Sequence, residues 1–290
     1  MMELWLGLGY VDTADLVRVA VACEQAGVAG VSMSDHLVRP GRLDSAYPYS
    51  RDGSIVWEPE THWPDSWVAI GAMAAATTTL RFGTGVFVAP LREPVALAKA
   101  VSTAAEISGG RVVCGLGSGW MREEFDVVGQ DFDSRGRRLD EITEILRKLW
   151  SGEIVEHSGP HYRFPPVQMV PAPAVPIPIW IGGNTPAAMR RAARHDGWIG
   201  AFGGLEQARS DLQAFRRVEA ERPGPTSPVG AATVGPMRRP EVLRGLADAG
   251  FDAAIVPIPM LTRGRGVDAW LEAIERAAAL AQEAGLGTPA

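Results

Sequence analysis

An aspartate and a histidine stand side by side near the start of the sequence, where together they could move a proton. Asp35 and His36 occur in the stretch SMSDHL, directly after an apolar run and before a long loop. A histidine accepts or donates a proton near neutral pH, and an adjacent carboxylate can orient its ring. The alternative is that both side chains only satisfy backbone groups of the loop. A position at the carboxyl end of a barrel strand would favour the catalytic interpretation.

A pair of glycines forms a second candidate, at a predicted turn from strand to helix. Gly182 and Gly183 precede Asn184 or Thr185 as the N-cap and Pro186 as the first helical residue. Glycine lets the backbone approach a ligand closely, and the N–H groups at a helix start favour an anion such as phosphate. Tight turns in general favour Gly-Gly-Asn, so an anion site and a plain turn are both open.

Three alternating glycines in the stretch RVVCGLGSGW form a third candidate. In a strand, Gly115, Gly117 and Gly119 point to the same face, which predicts space for a flat ligand or an open barrel mouth. The stretch is not the GxGxxG motif of dinucleotide-binding folds, because no helix begins at the third glycine with an acidic residue at the expected distance.

Two adjacent glutamates follow this stretch and suggest a comparison with paired-carboxylate hydrolases. Neighbouring residues on a helix project about 100° apart, so Glu123 and Glu124 cannot face one substrate together. A hydrolase of that type is therefore disfavoured. We expect both side chains to be solvated or ion-paired in the first turn of a helix.

Eight apolar runs, most of them followed by a helical pattern, have to position these residues. The predicted strands are residues 4–9, 29–34, 80–89, 111–119, 177–183, 196–202, 229–235 and 252–258. The predicted helices are a first one from about residue 16, then residues 64–76, 94–107, 135–150, 186–195, 205–221, 240–249 and 267–283. Apolar strands that alternate with helices indicate a parallel sheet buried on both faces. Eight such units predict an α/β fold, a (β/α)8 TIM barrel, over an open doubly wound sheet.

Two segments exceed the minimal repeat, and we expect them to be insertions in a single domain that spans residues 1–290. The first, residues 37–62, follows strand 2 and is rich in Pro, Tyr, Trp and Arg. Long loops are usually functional, and strand-to-helix loops of a barrel line its active site. The second, residues 154–173, has the pattern of a hairpin before strand 5.

Composition narrows the class of protein. The chain has 290 residues, 46% of them hydrophobic, and a net charge of -6, which disfavours nucleic acid or an anionic membrane as partner. Cys23 and Cys114 lie among apolar neighbours without metal-ligand spacing, so we expect buried thiols, a reducing compartment and no metal site. The longest uncharged run, residues 66–80, is shorter than the ~20 residues of a membrane span, and no signal peptide is evident. We expect a cytoplasmic protein that acts on a small molecule.

Several stretches taken together resemble the luciferase-like monooxygenase superfamily, and more closely its branch of coenzyme F420-dependent oxidoreductases. These stretches are SDHL, DSAYPYSRDGSIVWEPETHW, RFGTGVFVAPLREPVALAKAVSTAAEISGGR, GLGSGWMREEF, RGRRLDEITEILRKLW and IWIGGNTPAAMRRAARHDGWIG. The resemblance extends to about Gly200 and is weak after Leu205.

The resemblance implies a flavin or deazaflavin bound at the carboxyl end of the barrel. Asp35 and His36 would lie beside the ring, and a cis peptide bond between Gly85 and Val86 would form a bulge behind it. The remaining cofactor contacts that the resemblance implies are Ser118 and Gly119, and, around the phosphate, Gly182, Gly183, Asn184 and Thr185.

One departure from the resemblance concerns the substrate. In sugar-phosphate dehydrogenases similar to this family, a catalytic glutamate follows the Ser/Thr-Gly pair, whereas this chain has Trp120 there. That chemistry is therefore in doubt. We expect a more apolar substrate pocket formed by Trp57, Trp63 and Trp120, under a loop that also contains Tyr47 and Tyr49.

The function that the resemblance implies is hydride transfer between F420 and an organic substrate, with His36 and Asp35 as the catalytic pair and His36 in the proton role. One alternative is an FMN-dependent monooxygenase of the same superfamily. Another is a non-catalytic protein that binds a flavin or deazaflavin, since a fold does not dictate an activity. The superfamily also implies a homodimer.

Overall fold

The computed structural model describes residues 2–50, 52–55, 57–201, 203–222, 229–233, 239–262 and 264–286. In chain order the strands are β1 (Glu3–Gly7), β2 (Gly30–Met33), β3 (Arg81–Thr84), β4 (Phe87–Val88), β5 (Val112–Gly117), β6 (Ile154–Ser158), β7 (Arg163–Gln168), β8 (Ile179–Gly182), β9 (Gly197–Ala201), β10 (Val229–Thr233) and β11 (Ala253–Pro257). The α-helices are α1 (Leu16–Gln25), α2 (Ser66–Ala75), α3 (Pro94–Ser108), α4 (Arg122–Val127), α5 (Arg135–Leu149), α6 (Pro186–Ala192), α7 (Leu205–Ala220), α8 (Pro240–Ala249) and α9 (Val267–Glu283).

Parallel strands close into a barrel. Going around it, the order is β1, β2, β3, β5, β8, β9, β10 and β11, and β11 pairs with β1 to complete the circle. Each apolar run of the sequence supplies one of these strands, and the helices pack outside them. The prediction of a (β/α)8 barrel is confirmed. The strands β6 and β7 form a separate antiparallel hairpin between α5 and β8.

The third predicted strand is the main departure from the expected elements. A single strand over residues 80–89 was wrong, because the structure divides it into β3 and the two-residue β4. The peptide bond between Gly85 and Val86, which lies between the two pieces, is cis, as the resemblance implies. β4 then pairs with the carboxyl end of β5.

Tryptophans fill part of the barrel interior. The rings of Trp5 and Trp180 lie 6.0 Å apart, and both side chains are buried together with small and branched residues of the facing strands. Two glycines make room for them, since a Cβ at Gly30 would lie 2.7 Å from the Trp5 ring and one at Gly197 would lie 2.3 Å from the Trp180 ring. Trp198 stacks on Phe215 of α7 at 4.9 Å. These tryptophans are core residues, so they are not available to a flat ligand.

Both cysteines are buried and free, and burial raises the pKa of the Cys23 thiol to about 12. Neither thiol is therefore an accessible nucleophile. Within the described ranges, no helix combines the length and apolarity that a membrane crossing requires. The same residues contain no group of His, Cys, Asp and Glu side chains arranged to hold a metal ion.

Candidate active site

The predicted site residues converge at one side of the barrel mouth. They follow the carboxyl ends of β2, β3, β5 and β8, which are consecutive strands around the barrel. In a barrel of parallel strands this end carries the active site. The structure therefore brings residues from four distant parts of the sequence to one place.

A bulge after β3 forms the floor of this side of the barrel mouth. The side chain of Val86 occupies the space that a Cβ at Gly117 or Gly182 would need, since those atoms would lie only 2.5 and 2.4 Å from its methyl groups. A Cβ at Gly115 would collide with the carbonyl oxygen of Thr84. The expectation that the alternating glycines clear space for a flat ligand needs correction, because Gly115 and Gly117 make room for the protein's own bulge.

Asp35 does not face open space. Both of its carboxylate oxygens accept hydrogen bonds of 2.7 Å from the guanidinium group of Arg92, and the backbone N–H of Val88 donates to it at 2.8 Å. The Asp35 side chain is 1% exposed. Arg92 in turn lies over the ring of Phe87, 4.2 Å from its centroid. The predicted catalytic and cofactor contacts of Asp35 therefore need correction: its carboxylate fixes β4, and with it the far side of the bulge, and cannot reach a ligand.

His36 points away from Asp35 into an aromatic cluster. Its ring centroid lies 4.8 Å from that of Trp57, 4.9 Å from that of Trp63 and 6.0 Å from that of Trp120. The Nδ1 atom of His36 lies 3.2 Å from Oε2 of Glu124, a contact that joins the end of β2 to α4. The two neighbours therefore contact different parts of the molecule: Asp35 belongs to the framework, and His36 faces the mouth.

The two adjacent glutamates fasten the long loop after β2. Oε1 of Glu124 accepts hydrogen bonds from the backbone N–H groups of Leu37 at 2.5 Å and Val38 at 3.3 Å. Oε1 of Glu123 accepts from those of Asp44 at 2.7 Å and Ser45 at 2.9 Å. Partial burial raises the pKa of the Glu123 carboxyl, but hydrogen bonds from its own backbone N–H and from Ser45 and Asp44 outweigh it, so that the pKa is lowered.

The expectation for Glu124 was incomplete. The residue lies in the first turn of a helix, as predicted, but its side chain is only 2% exposed and it contacts the His36 imidazole, the candidate proton carrier. Arg92 was missed altogether, because its partner lies 57 residues away in the sequence. Near Arg92 itself, the sequence shows only that an arginine follows the GTGV stretch closely, which does not indicate its partner.

A cavity of about 190 Å³ lies between His36 and the loop. Trp57 and Trp63 line it, as predicted for a substrate pocket, whereas Trp120 is not among the described lining residues. Trp120 instead packs against the Tyr47 ring at 5.2 Å, and its ring lies 6.2 Å from that of Trp57. The other lining residues are Val38, Arg39, Pro40, Gly41, Leu43, Ile55 and Met121. A larger groove of about 490 Å³ runs along α8 and the end of α9, beside the amino ends of β1 and β11 and away from these residues.

The turn after β8 uses its polar side chains internally. Asn184 donates to the carbonyl of Ala201 at 2.8 Å and to Asp211 at 2.9 Å, and it accepts from the Ala201 N–H at 3.0 Å. The Thr185 hydroxyl caps α6 by accepting from Ala188 N–H at 3.2 Å. Both N–H groups of the Asn184 amide are therefore engaged within the protein, whereas the Thr185 hydroxyl keeps its own hydrogen to donate. Gly183, just before them, has a positive φ of 118°.

The residues at the mouth combine an apolar surface with glycines and a hydroxyl group. Its floor is the half-buried apolar side chain of Val86, and glycines stand at the corners, Gly119 with a φ of 86° and Gly182 beside Gly183. Ser118, half-buried, offers one hydroxyl. A flat ring needs this combination of an apolar face and a few polar groups at its rim.

The chain belongs to the luciferase-like monooxygenase family, whose model matches residues 5–289. An uncharacterized protein of Mycobacterium tuberculosis is 37% identical over 217 residues, which cover 75% of each chain. The F420-dependent glucose-6-phosphate dehydrogenase of Nakamurella multipartita is 34% identical over 194 residues, which cover 66% of this chain and 52% of the relative.

Solved structures share the fold. An F420-dependent secondary alcohol dehydrogenase in complex with an F420-acetone adduct has a TM-score of 0.74 at 15% identity, covering 98% of this chain and 99% of that chain. The monooxygenase RslO1 from Streptomyces bottropensis has a TM-score of 0.75 at 20% identity, covering 97% and 98%. At these identities the likeness concerns the fold.

The role of Asp35 can be tested through stability. Replacing it in Asp35→Asn leaves the Arg92 guanidinium, 17% exposed, without its counter-charge, and we expect a loss of about 3 kcal/mol in the free energy of unfolding. Urea denaturation measures it. Asp133→Asn is the matched control, because Asp133 also accepts from an arginine at 2.7 Å but both partners are exposed, so that it should cost less than about 1 kcal/mol. Equal losses for the two variants would contradict the framework role.

Proposed function

We propose that this protein is an F420-dependent oxidoreductase acting on a small, rather apolar organic compound. When bound, the deazaflavin supplies a ring carbon that accepts or donates a hydride. The observation that carries the proposal is His36, which is anchored by Glu124 and lines an aromatic cavity at the barrel mouth. The F420-dependent relative at 34% identity supports the choice of cofactor.

The cofactor would be held by residues of the mouth itself. Val86 would support the ring from below, and Ser118 and Gly119 would contact its edge. In the turn formed by Gly182, Gly183, Asn184 and Thr185, the glycines would let the phosphate approach closely, and the backbone N–H groups of Asn184 and Thr185 would face it. Asp35 contributes indirectly, through β4 and the bulge.

The substrate would lie in the cavity beside His36. Trp57 and Trp63 present flat apolar walls, and a compact molecule with few polar groups matches this part of the lining. The glutamate expected of sugar-phosphate dehydrogenases is replaced by Trp120, which favours a substrate other than a sugar phosphate. His36 is the group in this lining that can transfer a proton near neutral pH.

The choice of cofactor can be tested by titration of the purified protein. We expect oxidised F420 to bind. Members of a panel of small alcohols should then reduce it, and the loss of its absorbance measures this reduction. Binding of FMN without any response to F420 would instead identify a monooxygenase of the same family. Binding of F420 without hydride transfer from any alcohol of the panel would indicate a non-catalytic binding protein.

The proton role of His36 predicts a selective kinetic defect. His36→Ala should lower kcat by about 10²-fold while the dissociation constant of F420 changes by less than about threefold. Fluorescence titration and steady-state turnover measure the two quantities. His62→Ala is a matched control, because His62 ends the same loop but is half-exposed and bonds to Thr13 N–H at 3.1 Å. Unchanged turnover in His36→Ala would refute the assignment.

A homodimer is part of the proposal, and α2 offers a surface for it. This helix, Ser66–Ala75, contains no charged residue, and Val68 on its outer face is 74% exposed. Ile107 at the end of the neighbouring α3 is 49% exposed. Uncharged helix faces of this kind are typical of interfaces between copies of a chain.

We expect the wild-type protein to elute as a dimer, and Val68→Asp to convert it to a monomer by placing a charge in the interface. Size-exclusion chromatography with light scattering measures the mass. Ile154→Asp serves as control, since Ile154 is similarly exposed at 71% but lies on the β6–β7 hairpin. A monomeric wild type, or a dimeric Val68→Asp variant, would contradict this arrangement.

A further inference from the structure

The contact between His36 and Glu124 determines more than the position of the imidazole ring. Nδ1 of His36 lies 3.2 Å from Oε2 of Glu124, while the other carboxyl oxygen accepts two backbone N–H groups. An ionised carboxylate can only accept, and a carboxyl group is ordinarily a stronger acid than an imidazolium, so in a contact between the two a shared hydrogen resides on the nitrogen. The hydrogen of this contact therefore belongs to Nδ1.

Glu124 is held so that it cannot turn away from the ring. Its side chain is 2% exposed, and its bonds to Leu37 and Val38 fix the carboxylate to the segment that follows His36. The rings of Trp57 and Trp63 confine the imidazole from other sides. Among the described residues no group forms a hydrogen bond with Nε2, and the His36 side chain lines the cavity.

We propose that Glu124 is a positioning residue that fixes His36 as the tautomer protonated on Nδ1. In the neutral imidazole the lone pair of Nε2 is then available to the cavity, where it accepts a hydrogen from a substrate group that carries one, such as a hydroxyl. If the proton is transferred, it moves to Nε2, and the resulting imidazolium is stabilised by the carboxylate on its other side. The substrate part of this inference rests on the proposed function, whereas the tautomer does not.

The tautomer can be measured on the cofactor-free protein. In a protein labelled with 15N-histidine, the nitrogen shifts of His36 distinguish a protonated Nδ1 from a protonated Nε2, and a pH series identifies the neutral form. The His36→Gln variant assigns the signal among the five histidines of the chain. We expect wild-type His36 to carry its proton on Nδ1, and a proton on Nε2 would overturn the proposal.

Glu124→Gln supplies the decisive variant. The amide oxygen can still accept from Leu37 and Val38, which retains the loop, but the amide NH2 then faces Nδ1 and donates to it. We expect His36 to move its proton to Nε2 and kcat to fall by at least about tenfold, with F420 affinity within about twofold of wild type. An unchanged tautomer together with unchanged turnover would overturn the proposal.

Glu123→Gln is the matched control, because Glu123 anchors the same loop through Asp44 and Ser45 without contacting His36. It should retain the wild-type His36 signal. If it shifted that signal as strongly as Glu124→Gln does, loop anchoring would explain the effect and the proposal would fail. A confirmed tautomer in a protein that does not react with F420 would refute the proposed function and leave the inference intact.

Discussion

The buried carboxylate of Glu124 is the interaction on which the rest of the site depends. A buried charge is costly unless hydrogen bonds satisfy it, and here the donors come from one continuous segment, namely the His36 ring and the next two backbone N–H groups. Satisfying the charge therefore fixes the imidazole, the start of the long loop and the position of α4 together. Glu123 accepts hydrogen bonds in the same way from backbone N–H groups farther along the loop. The first part of the long loop, up to Ser45, thus gains a defined path from two carboxylates of one short helix.

The floor of the site is likewise fixed by contacts between distant parts of the chain, in this case by apolar packing. The side chain of Val86 fills the space beside Gly117 and Gly182, so neither glycine can be replaced without moving the bulge. The Asp35–Arg92 ion pair holds β4 directly after it. Protein interiors are close-packed, and a shift in one of these groups would be transmitted to the others. The bulge, β4 and the two glycines therefore form one packed unit at the mouth.

The sequence predicts the elements of this fold well because each barrel strand is a short apolar run with its own helix. It fails at residues 80–89, where the apolar pattern is continuous but the chain bends at Gly85 and Val86. Pattern reasoning on periodicity cannot detect such a bend, since its cause is the packing of Val86 against two strands that come later in the chain. Only the family resemblance indicated it.

In the site, too, the features set by neighbouring residues were predictable, whereas those set by residues distant in the sequence were not. The position of Asp35 and His36 at a strand end was predictable, but their separate roles were not, since these are set by Arg92 and Glu124, which lie 57 and 88 residues farther along. Adjacent residues of opposite orientation cannot share one task, so a carboxylate next to a histidine in the sequence is weak evidence that the two act together. The carboxylate that does contact His36 is Glu124, which belonged to the glutamate pair set aside because its members diverge. That divergence excludes a shared substrate, yet it lets each glutamate hold a different part of the loop, and one of them reaches the imidazole.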